Sequence, residues 1–395
     1  MLSVLETLGY LYKTQKFISL FDFKLGDGRK YSKIKRRFVA IISRIPIGIL
    51  NFYISCIFIS SFINSESYSA NDQSVTVTTI SILNFHFIHI FFFFSTIYFA
   101  IRRRKHLELI DDVKNLENKV NRFMGDDVFR TRQILKKRYN FQCVLILLHD
   151  FSYYILLITQ IGYSIDFNSY AIFWYIFLIL QGIVLDCTAL YITGYINVFM
   201  DTLESFDMRF LSSELRIQFH ILLVEYGGII KRINSLFLIF LIIYLGNRVI
   251  DASVKIFYLF VIMAEVPLEH MKYVIIFATC CSFGLFGSIL VMLTVTLVGD
   301  RSQTKMDRVF RKMASFNVEN TKINNMKYIE NLNTKYFLLK NLHEPMRIKV
   351  VGGDKILNLN LLFAVLTQLS SNLMVLIQFK QYEDTSTKGQ NVAHV

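Results

Sequence analysis

"SSNLMVLIQFK", Ser370–Lys380, closes the last apolar run of the chain, and its reading decides the fold. The run is greasy enough to cross a bilayer. Yet it keeps Ser371, Asn372 and Gln378, with the Gln378–Phe379 pair almost at its end. A helix that only had to span lipid would use Leu there. Hydrocarbon satisfies no polar group, so the presence of these hydroxyls and amides calls for an explanation.

The rest of the chain is just as apolar. Of its 395 residues 53% are hydrophobic, 37 are Phe, and the mean hydropathy is +0.42. That exceeds the apolar share of soluble domains. With only 3 Pro and 17 Gly, long helices are seldom interrupted. A crossing takes about 20 mostly apolar residues. Seven stretches qualify: 38–63, 77–100, 141–163, 171–199, 236–262, 273–298 and 358–379. The expected fold class is an all-α membrane protein with seven transmembrane helices. The fifth stretch is the weakest, because Arg248, Asp251 and Lys255 interrupt it. Lys and Arg crowd up to the first, which reads as an uncleaved anchor.

Basic residues set the orientation. Segments 1–37, 101–140, 200–235 and 299–357 hold nine, twelve, four and twelve Lys+Arg, 37 of the 43. The alternate segments, 64–76, 164–170, 263–272 and the tail 380–395, are short and hold Lys272, Lys380 and Lys388 only. Lys and Arg collect on the cytoplasmic side. This predicts a cytoplasmic N-terminus and an extracellular C-terminus. The net charge of +13 then faces cytosol and anionic lipid, and no nucleic-acid module is needed to explain it. The orientation also argues against a G-protein-coupled receptor, whose N-terminus lies outside. The motifs of that class are missing too: no Asp-Arg-Tyr follows the third run and no Asn-Pro-x-x-Tyr ends the seventh.

Cys56, Cys143, Cys187, Cys280 and Cys281 all lie in apolar runs and read as buried thiols. No phosphate-binding Gly loop, His-Glu-x-x-His or Cys/His ligand spacing is present. No enzyme activity, metal or cofactor is expected. The cytoplasmic segments read as folded. Stretch 323–342 places Ile323, Met326, Ile329, Leu332, Tyr336, Leu339 and Leu342 on one helical face, and Val309, Phe310, Met313 and Phe316 form a shorter stripe. Such faces lie on the membrane, pack on their own chain, or meet in an oligomer anchor. Segment 101–140 is mixed in charge and reads as a solvated helical hairpin.

Ionisable groups within spans are costly and often functional. Here they are His86 and His89, His149 and Asp150, Asp186, and the set Arg248, Asp251, Lys255. The last set shares one face and reads first as a self-neutralising ladder. Asp150 and Asp186 lack a sequence-local basic partner. By topology His86, His89, Asp251 and Lys255 fall in the outer half. In the seventh run Thr367, Ser371 and Gln378 fall within about 40° of each other on an ideal helix, with Met374 and Val375 between them. That stripe suits a pore or interhelical hydrogen bonds; spacing alone favours neither. Asn372 lies off it and is expected to bond a neighbouring helix.

The segment Asn341–Phe379, "NLHEPMRIKVVGGDKILNLNLLFAVLTQLSSNLMVLIQF", resembles the C-terminal signature of insect gustatory receptors, within the insect chemoreceptor superfamily. In that family a Leu-x-x-x-Pro stretch and a Gly-containing connector lead into a last span ending in Thr-Tyr, five hydrophobics and Gln-Phe. This chain keeps Leu342, His343, Pro345 and Gly352, then Leu373–Ile377 and Gln378–Phe379. It departs at Ser371–Asn372, where Thr-Tyr is usual, and at Ile356, where an aromatic is common. The departures mark a divergent member.

The resemblance implies a ligand-gated, weakly selective cation channel in the plasma membrane of sensory neurons. It implies a homo- or hetero-tetramer around the last span, opened by a small-molecule tastant from outside. Thr367, Ser371, Val375 and Gln378 would line the pore, and Phe379 would narrow it when closed. Glu383 and Asp384 would gather cations at the outer mouth. The ligand would lie between spans in the outer half, among His86, His89, Tyr153, Tyr154, Trp174, Asp251 and Lys255. The implied division is a cytoplasmic N-terminus (1–37), six spans holding the pocket (38–298), a cytoplasmic helical anchor (299–357), the pore helix (358–379) and an extracellular tail (380–395). A seven-span receptor signalling through cytoplasmic proteins, docked on the long basic segments, is the alternative.

Overall fold

A computed structural model describes residues 3–18, 75–120, 126–164, 169–204, 213–265, 271–319 and 359–393, with isolated helical positions at Ile49, Phe52, Tyr53, Cys56, Lys335 and Tyr336. The 38–63 run, the 323–342 stripe and the Gly352–Gly353 connector otherwise lie outside the described residues.

Every described element is a helix. Two short ones, α1 (Val4–Thr7) and α2 (Tyr10–Ile18), precede α3 (Val75–Ile101), α4 (Arg103–Val120), α5 (Asp126–Ser164), α6 (Ser169–Glu204), α7 (Ser213–Glu265), α8 (Met271–Glu319) and α9 (Leu359–Ala393). Six of the seven apolar runs fall on α3 and α5–α9. Among the described residues Leu180–Asp201, Ile221–Val261 and Ile275–Val309 are long and apolar enough to cross a membrane.

The helices run past the apolar stretches that predict them. α7 has 53 residues, about 80 Å at 1.5 Å per residue, against a hydrocarbon core of about 30 Å. Much of the segment 200–235, taken as a connection, is therefore helix, and so is 299–319 at the end of α8. Arg248, Asp251 and Lys255 do not break α7, because each finds a partner inside the bundle. The expected tail after Phe379 continues α9 to Ala393, with no Pro or Gly before Gly389 to stop it.

α7 is the axis of the bundle. It packs against α3, α4, α6, α8 and α9, while α5 and α6 pair and α8 crosses both. Aromatic side chains fill the centre. Phe199 stacks on Tyr226 with centroids 4.3 Å apart, and Phe240 stacks on both Phe91 and Tyr244 at 5.6 and 5.8 Å.

The 101–140 segment forms α4 and the start of α5; Arg103, Arg104, Lys105, Lys114 and Asn115 are solvated as expected, but the opposite face is not. Leu109, Val113 and Leu116 are buried, as are His106, Glu117 and Arg132. Asp112 pairs with Arg232, and Lys119 Nζ lies 2.5 Å from Glu225, tying α4 to α7. The N-terminus docks at the same end. Ser3 and Glu6 close a capping box on α1, and Glu117 Oε1 accepts both the Val4 N–H at 2.9 Å and Arg132 Nη1 at 2.9 Å. Gly9 has φ +55°, and a Cβ there would meet Asn140 Oδ1 at 2.0 Å, the atom that accepts the Tyr10 N–H. Only glycine fits that turn. All five cysteines are free; four are buried as expected, but Cys56 is exposed.

Candidate functional site

Two regions carry polar chemistry inside the apolar bundle. The first joins α5, α6, α7 and α8. Asp186 on α6 accepts from the Tyr244 hydroxyl and from Arg248 Nη2 on α7. Arg248 Nε also donates to Tyr244 Oη at 3.2 Å, and its Nη1 lies 3.8 Å from Asp251 Oδ2. One turn on, Lys255 Nζ and Ser288 Oγ of α8 donate to Asp251 Oδ2 at 2.5 and 2.8 Å. The ladder read from the sequence is thus real between Asp251 and Lys255. Arg248 instead leans across to Asp186, which thereby gains its cation from another helix. Asp150 faces the imidazole of its neighbour His149 at 3.3 Å.

His89 on α3 meets Gln181 on α6, Nδ1 to Oε1, at 2.7 Å, and both side chains are buried. His86 lies on α3, Tyr153 and Tyr154 on α5, and Trp174 on α6; their side chains lie outside the described residues. Of the candidate ligand residues, the structure brings Asp251 and Lys255 together. His89 joins Gln181, a residue the sequence reading had not singled out. Gln181, Tyr244 and Ser288 carry no charge, and one polar side chain in an apolar run gives little signal.

The second region is α9. One face, Leu361, Val365, Leu366 and Leu369, packs on the main core, and Leu373 and Leu376 pack on Val254, Phe257 and Val261 of α7. The other face is open. It carries Phe363, Thr367, Gln368, Ser370, Ser371, Met374, Val375, Gln378 and Phe379, with Phe379 62% exposed. Thr367 and Ser371 donate to carbonyls one turn back at 2.9 and 3.2 Å. Asn372 does not reach a neighbouring helix. It accepts from Gln368 Nε2 on α9 itself at 2.9 Å, because a residue four positions away is already in reach.

The open faces of α3 and α5 differ in kind, while α8 exposes Thr279 and Ser282 among apolar side chains. On α3 the exposed side chains from Phe87 to Ala100 are Phe87, Ile90, Phe93, Phe94, Ile97 and Ala100, all apolar. On α5, Val144, Leu145, Leu148, Phe151 and Ile155 are exposed, with Ser152 the one hydroxyl among the exposed residues of that stretch. Those surfaces suit lipid. The α9 face, rich in hydroxyls and amides, does not.

Residues 8–383 match the profile of the 7tm chemosensory receptor family. The chain belongs to that family. Two solved structures share the receptor's fold. The insect olfactory receptor OR5 from Machilis hrabei in complex with eugenol aligns with TM-score 0.61 at 12% identity, over 95% of this chain and 97% of that one. OR5 from Machilis hrabei in a second structure aligns with TM-score 0.54 at 11% identity, over 95% and 99%. No curated protein matches the sequence.

Proposed function

We propose that this receptor is a ligand-gated, weakly selective cation channel of the gustatory type in the plasma membrane of sensory neurons. In this reading it spans the membrane seven times, N-terminus inside, and assembles as a homo- or hetero-tetramer around α9. The observation that carries the reading is the contrast of open faces. Amides facing hydrocarbon are costly, yet the open face of α9 presents Gln368 and Gln378 beside Thr367, Ser370 and Ser371, whose hydroxyls bond carbonyls of α9 itself, whereas the exposed side chains of α3 from Phe87 to Ile101 are all apolar. Four such faces around an axis make a pore lined by neutral dipoles, which replace part of an ion's hydration without a fixed charge. Phe379, on the same open side, is the constriction.

The stimulus is a small organic molecule entering the outer half of the bundle, among His86, His89, Tyr153, Tyr154, Trp174, Asp251 and Lys255. One structural relative is solved with eugenol, and a small aromatic ligand is the class to try first. The test is calcium imaging and excised-patch recording in a heterologous cell challenged with a tastant panel. Currents should persist in excised patches. With single cysteines, a charged thiol reagent from outside should block Gln378→Cys and spare Phe94→Cys. Currents that always need cytosolic nucleotide or G protein would remove the channel reading.

A further inference from the structure

We propose that His149 and Asp150 form a buried proton-binding site that holds one proton at neutral pH and balances the charge of the polar network between α5, α6, α7 and α8. The geometry gives the first reason. Both imidazole nitrogens of His149 face acceptors: Nε2 lies 3.0 Å from the Phe283 carbonyl oxygen of α8, and Nδ1 lies 3.3 Å from Asp150 Oδ1. A carbonyl only accepts, so Nε2 carries hydrogen. A neutral imidazole has one N–H, which would leave the Nδ1 lone pair pointing at a carboxylate. A second proton between Nδ1 and Oδ1 turns that repulsion into a charge-assisted hydrogen bond.

The charge count gives the second. Among the described residues the network holds three carboxyls, Asp150, Asp186 and Asp251, against two fixed cations, Arg248 and Lys255. Arg248 is taken by Asp186, and Lys255 by Asp251. Asp150 is left over, buried, with Oδ2 lacking a hydrogen-bond partner. An unbalanced buried charge is expensive, and the proton restores neutrality.

Among the described residues the charged and titratable neighbours are already engaged. Asp186 on α6 acts on His149 from across the interface, and Arg248 on α7 lies within electrostatic reach of Asp150. The thiol of Cys187 on α6 sits near both Asp150 and Asp186, and Cys281 on α8 sits near Lys255 and Asp251. The face of α8 toward His149 offers the Phe283 ring, stacked at 4.7 Å, and backbone. The close approach is built in. A Cβ on Gly287 would stand 2.0 Å from His149 Cε1, so only glycine leaves room for the ring.

The test uses full-length receptor in lipid nanodiscs, with ¹⁵N-labelled histidine and ¹³C-labelled aspartate carboxyls, read by solid-state NMR at pH 7.5. The probe is the proton itself. There are eight histidines, and the signals that vanish in His149→Gln and in Asp150→Asn assign the pair. In the wild type both His149 nitrogens should be protonated, or one protonated with Asp150 in its acid form; either supports the site. In Asp150→Asn the carboxamide can donate to Nδ1, so the imidazole should become neutral and show one bare nitrogen. Gly287→Ala, which pushes a methyl into the ring, should also lose the extra proton. A neutral His149 beside an ionised Asp150 in the wild type overturns the proposal, as does an imidazolium that survives unchanged in Asp150→Asn. Where a variant fails to fold, the through-space contact of the His149 ring nitrogen with a ¹³C-labelled Phe283 carbonyl, 3.0 Å away, assigns the wild-type signals instead.

Discussion

Removing the Arg248 charge should damage the receptor more than removing the Asp186 charge, although the two form one ion pair. Both side chains are mostly buried, 15% and 5% exposed. Breaking a buried pair from one side costs about 3–5 kcal/mol, because the surviving charge has neither water nor a partner. In Arg248→Met, Asp186 keeps only the Tyr244 hydroxyl, and the full cost of about 3–5 kcal/mol applies. In Asp186→Leu, Arg248 can move toward Asp251, already 3.8 Å away. That fallback should cut the loss to about half, taking the same range. The double variant removes both charges and should come within about 1 kcal/mol of the wild type, since an apolar pair of similar volume often replaces a buried salt bridge neutrally. The coupling energy from this cycle is therefore at least about 3.5 kcal/mol. Steric trapping of the receptor in bicelles reads these differences directly. Losses that simply add, or an Asp186→Leu worse than Arg248→Met, would refute the assignment of Arg248 to Asp186.

Other outcomes follow from separate parts of the molecule. Phe379→Ala should pass current without ligand, and Gln378→Leu should keep ligand binding but lower single-channel conductance; a Phe379→Ala receptor that reaches the surface and stays silent until stimulated would remove the gate assignment. An epitope after Val395 should be reachable by antibody on intact cells, and one before Met1 only after permeabilisation. His106, buried against Phe237 outside the membrane spans, has its pKa pushed down to about 3 by burial. The unfolded chain then takes up a proton near pH 6.5 that the folded chain refuses, so stability is full above that point and falls as pH drops from 6.5 toward 3. At pH 5 the loss is about 2 kcal/mol, and His106→Phe should flatten the slope in thermal unfolding.

The apolar runs made the helices legible, because a bilayer demands long apolar segments and the count needs no tertiary knowledge. Their ends were not legible. Hydropathy stops at the edge of hydrocarbon, while backbone hydrogen bonding does not, so α7 and α8 continue beyond it. The docked N-terminus left one signal, the Ser3-x-x-Glu6 capping box, which marks a helix start but not where the helix packs. The Asp251–Lys255 contact could be read from a four-residue step. The Asp186–Arg248 contact could not, since 62 residues separate the partners and nothing local links them. The same limit hid His89–Gln181.

The two polar regions share one carrier. α7 holds Asp251 and Lys255 toward Ser288 of α8 and, on the intervening side, Val254, Phe257 and Val261 against Leu373 and Leu376 of α9. Residues three or four apart on a helix move as a unit, because the backbone ladder between them is stiff. In the proposed channel, a ligand that shifted α7 against α8 would also shift the packed face of α9 and turn its open face, which bears Gln378 and Phe379. Those two point about 100° apart, so a twist that withdrew the phenyl ring would bring the amide toward the proposed axis. Apolar packing between α7 and α9 suits this role, because interdigitated side chains can change register without leaving a polar group unpaired. A salt bridge at that contact would resist the same motion. The charges instead sit one layer away, between α6, α7 and α8, where in the proposed channel they would hold the frame against which α9 turns.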